Sequence, residues 1–110
     1  MISTHVLDTA LGAPARALAV RLDVLEPSGA WRTLGSAVTT EDGRATGLAD
    51  PKDLVGRTCR LCFEVGAYFA AGGRPSFFPH VEVSFVVGGE PRYHVPLLLS
   101  PFGYSTYRGS

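Results

Sequence analysis

Hydrophobic and polar residues alternate along most of this chain, the spacing that puts every second side chain on one face of a β-strand. The alternation is cleanest from Ala17 to Leu25, where Leu18, Val20, Leu22 and Val24 share one side and Arg21 and Asp23 the other. Pro79 to Val87 repeats it, with Val81, Val83, Phe85 and Val87 inward and His80, Glu82 and Ser84 outward. Thr4 to Thr9 predicts a first strand with Val6 inward and His5 and Leu7 opposite. Trp31 to Thr40 reads as a further strand, followed by a hairpin turn at Glu41-Asp42-Gly43 and a short return strand, Arg44 to Thr46. The turn is predicted because Asp-Gly pairs reach positive φ with little strain. Arg57 to Glu64 alternates as well, and Ala67 to Ala71 before Gly72-Gly73 suits one short helical turn. Seven or eight short strands joined by turns predict an all-β antiparallel sandwich, with no internal repeat.

The closing stretch has the most unusual pattern. Read as two strands broken at Ser100-Pro101-Phe102-Gly103, it puts Tyr93, Val95, Leu97 and Leu99 on one face, with Tyr104 and Thr106 toward the core. His94, Pro96, Leu98, Ser105 and Tyr107 then share the other face. That second face is too apolar for water, yet it carries an imidazole and a phenol. It predicts a surface buried against another subunit, with a polar site inside it.

A chain of 110 residues forms one domain, residues 1–110, and buries roughly two-thirds of its unfolded surface. Ten basic and ten acidic residues cancel, without a run of like charge, so neither nucleic acid nor an anionic membrane is an expected partner. No apolar stretch approaches a membrane span and no signal core opens the chain, so a cytoplasmic location is expected. Cys59 and Cys62 sit on opposite faces of one strand, about 10 Å apart, beyond disulfide reach. One core thiol and one outer-face thiol are expected rather than a redox or zinc motif. No cofactor is expected, and two plausible imidazoles without a clear third ligand argue against a metal.

His80 begins a strand beside outward Glu82 and Ser84, which predicts a surface role. His5 and His94 each sit among apolar residues on a face turned away from the core. Taken alone, that placement favours hydrogen-bonded interface histidines over catalytic ones. Arg44 taken alone fits a solvated arginine after a turn. Ser110 lacks the strained elbow and oxyanion hole of a covalent nucleophile.

Tyr93-His94-Val95-Pro96, Ser100-Pro101 and the ending Tyr107-Arg108-Gly109-Ser110 resemble the 5-hydroxyisourate hydrolases, transthyretin-related enzymes of urate breakdown. The start agrees, from Ile2 through His5 to Asp8 and then Gly12 to Ala15, as does Asp42-Gly43-Arg44. The resemblance implies a transthyretin-like antiparallel β-sandwich of two four-stranded sheets with one short helix. It also implies a homotetramer, a dimer of dimers, with sites in channels between subunits.

The implied reaction converts 5-hydroxyisourate to 2-oxo-4-hydroxy-4-carboxy-5-ureidoimidazoline. The family pattern carries over to His5, Arg44, His94 and Tyr107-Arg108-Gly109-Ser110, making His5, His94, Arg44 and Ser110 candidate catalytic residues. His5, Arg44, Tyr107 and Arg108 are the candidate substrate contacts. A neutral imidazole takes a proton from water near neutral pH, and a guanidinium presents paired donors to carbonyl oxygens and developing negative charge. Which histidine is the base stays open. The family commonly has histidine where this chain has Arg92, a change expected to alter rim charge. The rival readings are a small-ligand carrier of the transthyretin kind and a structural sandwich module.

Overall fold

A computed structural model describes residues 1–110. The strongest alternation builds one of two sheets: β3 (Ala19–Leu25) lies between β4 (Trp31–Val38) and β6 (Thr58–Phe63), and β6 pairs in turn with β7 (Val81–Val86). All three pairings are antiparallel. Leu34 is left over where the β3–β4 register shifts between Leu22 and Asp23, a bulge that turns the Leu34 side chain against the core.

The second sheet departs from four antiparallel strands. Its spine is β1 (Ile2–Asp8), with β9 (Leu97–Ser100) beside it and β10 (Gly103–Thr106) at the edge. Three two-residue pieces complete it: β2 (Ala13–Pro14), β5 (Arg44–Ala45) and β8 (Tyr93–His94), each paired with β1. The sheet is mixed, since β8 and β9 run parallel to β1.

Pro96 causes the division between β8 and β9, because it has no N–H to give the ladder. Side chains cover the carbonyls at the gap: Thr4 Oγ1 donates to the Val95 oxygen at 2.6 Å and Thr106 Oγ1 to that of Pro96 at 2.7 Å. Pro96 is buried within the protomer, not presented on the outer face. Tyr104 and Thr106 pair with Leu99 and Leu97 as the alternation predicts, yet both are exposed because β10 is an edge strand.

The Asp42-Gly43 turn is tight but does not make a hairpin. The chain leaves β4 and crosses to the other sheet, where β5 pairs with β1. Gly43 permits this crossing, with φ +77° and no room for a Cβ against the Val6 carbonyl. Its own carbonyl accepts from Val6 N–H at 2.7 Å.

Ile2, Val6, Leu97 and Leu99 from one sheet meet Val20, Leu22, Leu61 and Phe63 from the other to form the core. The helix α1 (Val65–Ala71) is longer than one turn and buries Val65 and Phe69. It is tied to β1 through Asp8, a fully buried carboxylate that accepts from Tyr68 Oη at 2.8 Å and pairs with Arg74. Asp23 and Cys62 lie on the outer face as predicted, but both are buried beneath Arg21 and Arg60. No helix is long and apolar enough to cross a membrane.

Candidate active site

β1 assembles the site by alternation. Ile2, Thr4 and Val6 point into the core, so Ser3 and His5 point out. His5 has Arg44 as its register partner on β5, and Ser3 has His94 as its partner on β8. Register partners face the same way, so Arg44, His5, Ser3 and His94 form one patch on the outer face of the sheet. The pairing geometry explains how residues from three distant parts of the chain converge.

The two imidazoles have different surroundings. His5 Nε2 lies 2.8 Å from the Asp42 carbonyl oxygen. A carbonyl only accepts, so this nitrogen carries the proton. His94 Nδ1 lies 2.9 Å from Ser3 Oγ. No protein atom bonds His94 Nε2, and no buried side-chain nitrogen or oxygen lacks a partner, so Nε2 opens outward. Burial holds the His94 pKa below 6.5, and the nearby positive charge of Arg44, then the neighbouring His5, adds to the effect. His94 is therefore neutral at pH 7.

The tail returns to this patch. Gly109 bridges to His94, donating its N–H to the His94 carbonyl at 2.8 Å. A groove of about 580 Å³ results, lined by Ser3, Arg44, Arg92, His94, Arg108 and Ser110 among others. That volume falls within the usual range of small-molecule sites, roughly 300–1,000 Å³. Three guanidiniums face it, against the nearby carboxylate of Glu90. His5 lies beside the groove, next to Arg44, rather than in its wall.

Tyr107 takes another place. It lines an apolar slot between the tail and β7, with Phe85, Val86 and Tyr93, which His94 and Arg108 also border. Arg108 stands over the Tyr93 ring, its guanidinium carbon 5.4 Å from the centroid. The structure thus brings Arg44, His94, Arg108 and Ser110 to one groove, with His5 adjoining and Tyr107 in the neighbouring slot that His94 and Arg108 also border. His80 pairs with Glu82 at 3.2 Å on the surface, away from this groove. Ser3 escaped the sequence reading, although its position two residues before His5 already placed it on the same face.

Comparison with known proteins gives this arrangement its context. The profile of the HIUase/Transthyretin family matches residues 2–109. A 5-hydroxyisourate hydrolase of Mus musculus is 47% identical over 111 residues, covering 99% of this chain and 94% of the mouse protein. 5-hydroxyisourate hydrolase 2 of Rhizobium meliloti is 44% identical over 115 residues, covering 99% and 95%. Among solved structures, sea bream transthyretin in complex with thyroxine superposes with a TM-score of 0.89 at 28% identity, covering 98% of this chain and 93% of that one. On sequence and fold together, this chain belongs to the HIUase/transthyretin family.

Proposed function

We propose that this protein hydrolyses 5-hydroxyisourate to 2-oxo-4-hydroxy-4-carboxy-5-ureidoimidazoline. The observation that carries the reading is His94, neutral, with Nε2 unpartnered at a groove lined by Arg44, Arg92 and Arg108. The names of the mouse and Rhizobium relatives supply the substrate.

The groove then works as follows. Arg44 and Arg108 hold the carbonyl oxygens of the substrate by paired N–H donors. His94 Nε2 takes a proton from a water molecule as its oxygen attacks the ring carbonyl of the six-membered ring. Negative charge developing on that carbonyl oxygen is stabilised by the guanidiniums. The C–N bond of the ring breaks, the carbonyl carbon becomes a carboxyl group, and the departing ureido nitrogen receives a proton from the imidazolium. His5 adjoins Arg44 but lies beside the groove rather than in its wall, a place that suits orienting the bound ring more than activating water. Ser110 lines the groove and contributes polar contacts rather than a covalent nucleophile.

The groove is open on its outer side, and Leu7 and Leu98 are register partners on the same face, only partly covered. A second copy against this face would close the groove into a channel, so we propose a homotetramer, a dimer of dimers, as the working form.

The test is spectrophotometric. 5-hydroxyisourate is generated with urate oxidase, and its decay is followed with and without this protein. Faster decay is expected, whereas an unchanged spontaneous rate would favour a carrier like the thyroxine-bound sea bream protein.

A further inference from the structure

A histidine that must aim one nitrogen at a groove needs its ring held, and β8 offers little backbone support. It is two residues long, and Pro96 interrupts the ladder just beyond it. Two contacts from elsewhere supply the hold. Ser3, the register partner of His94, reaches Nδ1 with its Oγ at 2.9 Å. Gly109 packs against the ring itself: a Cβ there would come within 2.7 Å of Cδ2 and 3.3 Å of Cγ. Real Cβ atoms do not approach that closely, so the tail backbone lies flush on the imidazole only because residue 109 is glycine.

We propose that Ser3 and Gly109 are positioning residues for the reaction, with Ser3 Oγ accepting the Nδ1–H of His94 and Gly109 closing one side of the ring. The inference rests on His94 being the base. Of the two neutral tautomers, only the one protonated at Nδ1 leaves a lone pair on Nε2, the nitrogen that opens outward. Ser3 Oγ, as acceptor, selects that tautomer and keeps its own proton for water at the partly exposed groove wall. Neither residue takes or gives a proton in the reaction. They act through His94, as an outer partner orients a metal-bound imidazole.

The experiment combines 15N NMR of the His94 ring with steady-state kinetics on the full chain, at a pH where the ring is neutral. Wild type should show Nδ1 protonated and Nε2 bare. Ser3→Ala should show a mixture that includes the Nε2–H form, with kcat lowered about tenfold and KM little changed. Ser3→Thr, which keeps the hydroxyl and suits a strand, should restore both. Gly109→Ala should shift the His94 ring resonances and also lower kcat.

A wild-type ring protonated at Nε2 overturns the proposal. So does a Ser3→Ala protein with an unchanged spectrum or an unchanged kcat. Failure of Ser3→Thr to restore the spectrum would overturn it as well, and would separate the hydroxyl contact from a packing effect. If wild type fails to hydrolyse 5-hydroxyisourate, the proposed function falls, while the NMR arm still judges the clamp on its own.

Discussion

His5 and Arg44 stand directly opposite each other across the β1–β5 pairing, although the chain reaches Arg44 only after completing two strands of the other sheet. Gly43 makes the meeting possible, because its positive φ and missing side chain let the turn press onto Val6. Gly43→Ala should therefore cost both stability and activity. The strain and clash should lower stability by at least about 1 kcal/mol. Arg44 should shift with the turn, raising KM. Thermal unfolding and steady-state kinetics check this, and an unchanged KM would separate Arg44 from substrate binding.

A pH profile follows from the surroundings of His94. Its pKa is lowered below 6.5, by burial first and then by Arg44 and His5, and the proposed mechanism uses the neutral ring. Activity should thus persist as pH falls through 6.5 and decline only below it. Stability follows the same direction. Above pH 6.5 the ring is neutral folded and unfolded. Below it, the unfolded chain takes up its proton first, so this contribution is lost as pH falls through the folded value. A half-loss of activity at or above pH 6.5 would conflict with the partly buried, unprotonated ring.

Arg92 tests the charge of the groove rim. Three guanidiniums there should draw in an anionic form of the substrate, an effect that added salt screens. Arg92→Gln should lower kcat/KM a fewfold at low ionic strength and flatten its salt dependence, leaving kcat nearly intact. Stopped-flow or initial-rate measurements across a salt series decide this. An equal fall in kcat would place Arg92 in the chemical step instead.

Asp8 separates stability from catalysis. Burial alone would raise its pKa, but Arg74, Tyr68 and the Leu11 N–H together hold it below 3.8. Stability from this carboxylate is therefore present above pH 3.8 and is lost as pH falls through the folded value. Asp8→Ala would strand Arg74, itself partly exposed, at a cost of about 3 kcal/mol. Calorimetry should show Tm lower by roughly 10 °C, with kcat at low temperature much less affected.

Much of this fold was legible in the sequence because strand alternation is a local signal. Leu18 to Val24 and Cys59 to Phe63 bury the face their pattern predicts, and in Val81 to Val87 the ends are buried while Val83 and Phe85 are partly buried against the core. What was not legible depends on contacts between distant segments. An Asp-Gly pair announces a tight turn but cannot say which strand the return segment joins, and here β5 joins β1. The outer-face placement of Asp23 was readable, whereas its burial depends on Arg21 and on Arg60 from another strand. For the site, the family resemblance pointed to His5, Arg44 and His94. The different surroundings of the two imidazoles come from Asp42 and Ser3, partners that spacing does not reveal. Alternation puts Tyr107 with His94, and both border the apolar slot, but the chain leaves regular strand geometry after Thr106 and Tyr107 does not line the arginine groove.

Assembly has its own measurement. If the working form is the proposed dimer of dimers, the protein in solution should have about four times the 11.7 kDa mass of one chain. Light scattering that found an active monomer at micromolar concentration would remove the inter-subunit channel from the account.

The claim that His94 is the base meets its most direct test in one side-by-side assay of 5-hydroxyisourate decay, with wild type, His94→Ala and His80→Ala at equal concentration. Wild type and His80→Ala should accelerate decay alike, because His80 pairs with Glu82 on the surface away from the groove. His94→Ala should lose about a hundredfold or more while its thermal transition moves little. A His94→Ala protein that turns over substrate at the wild-type rate would contradict the account.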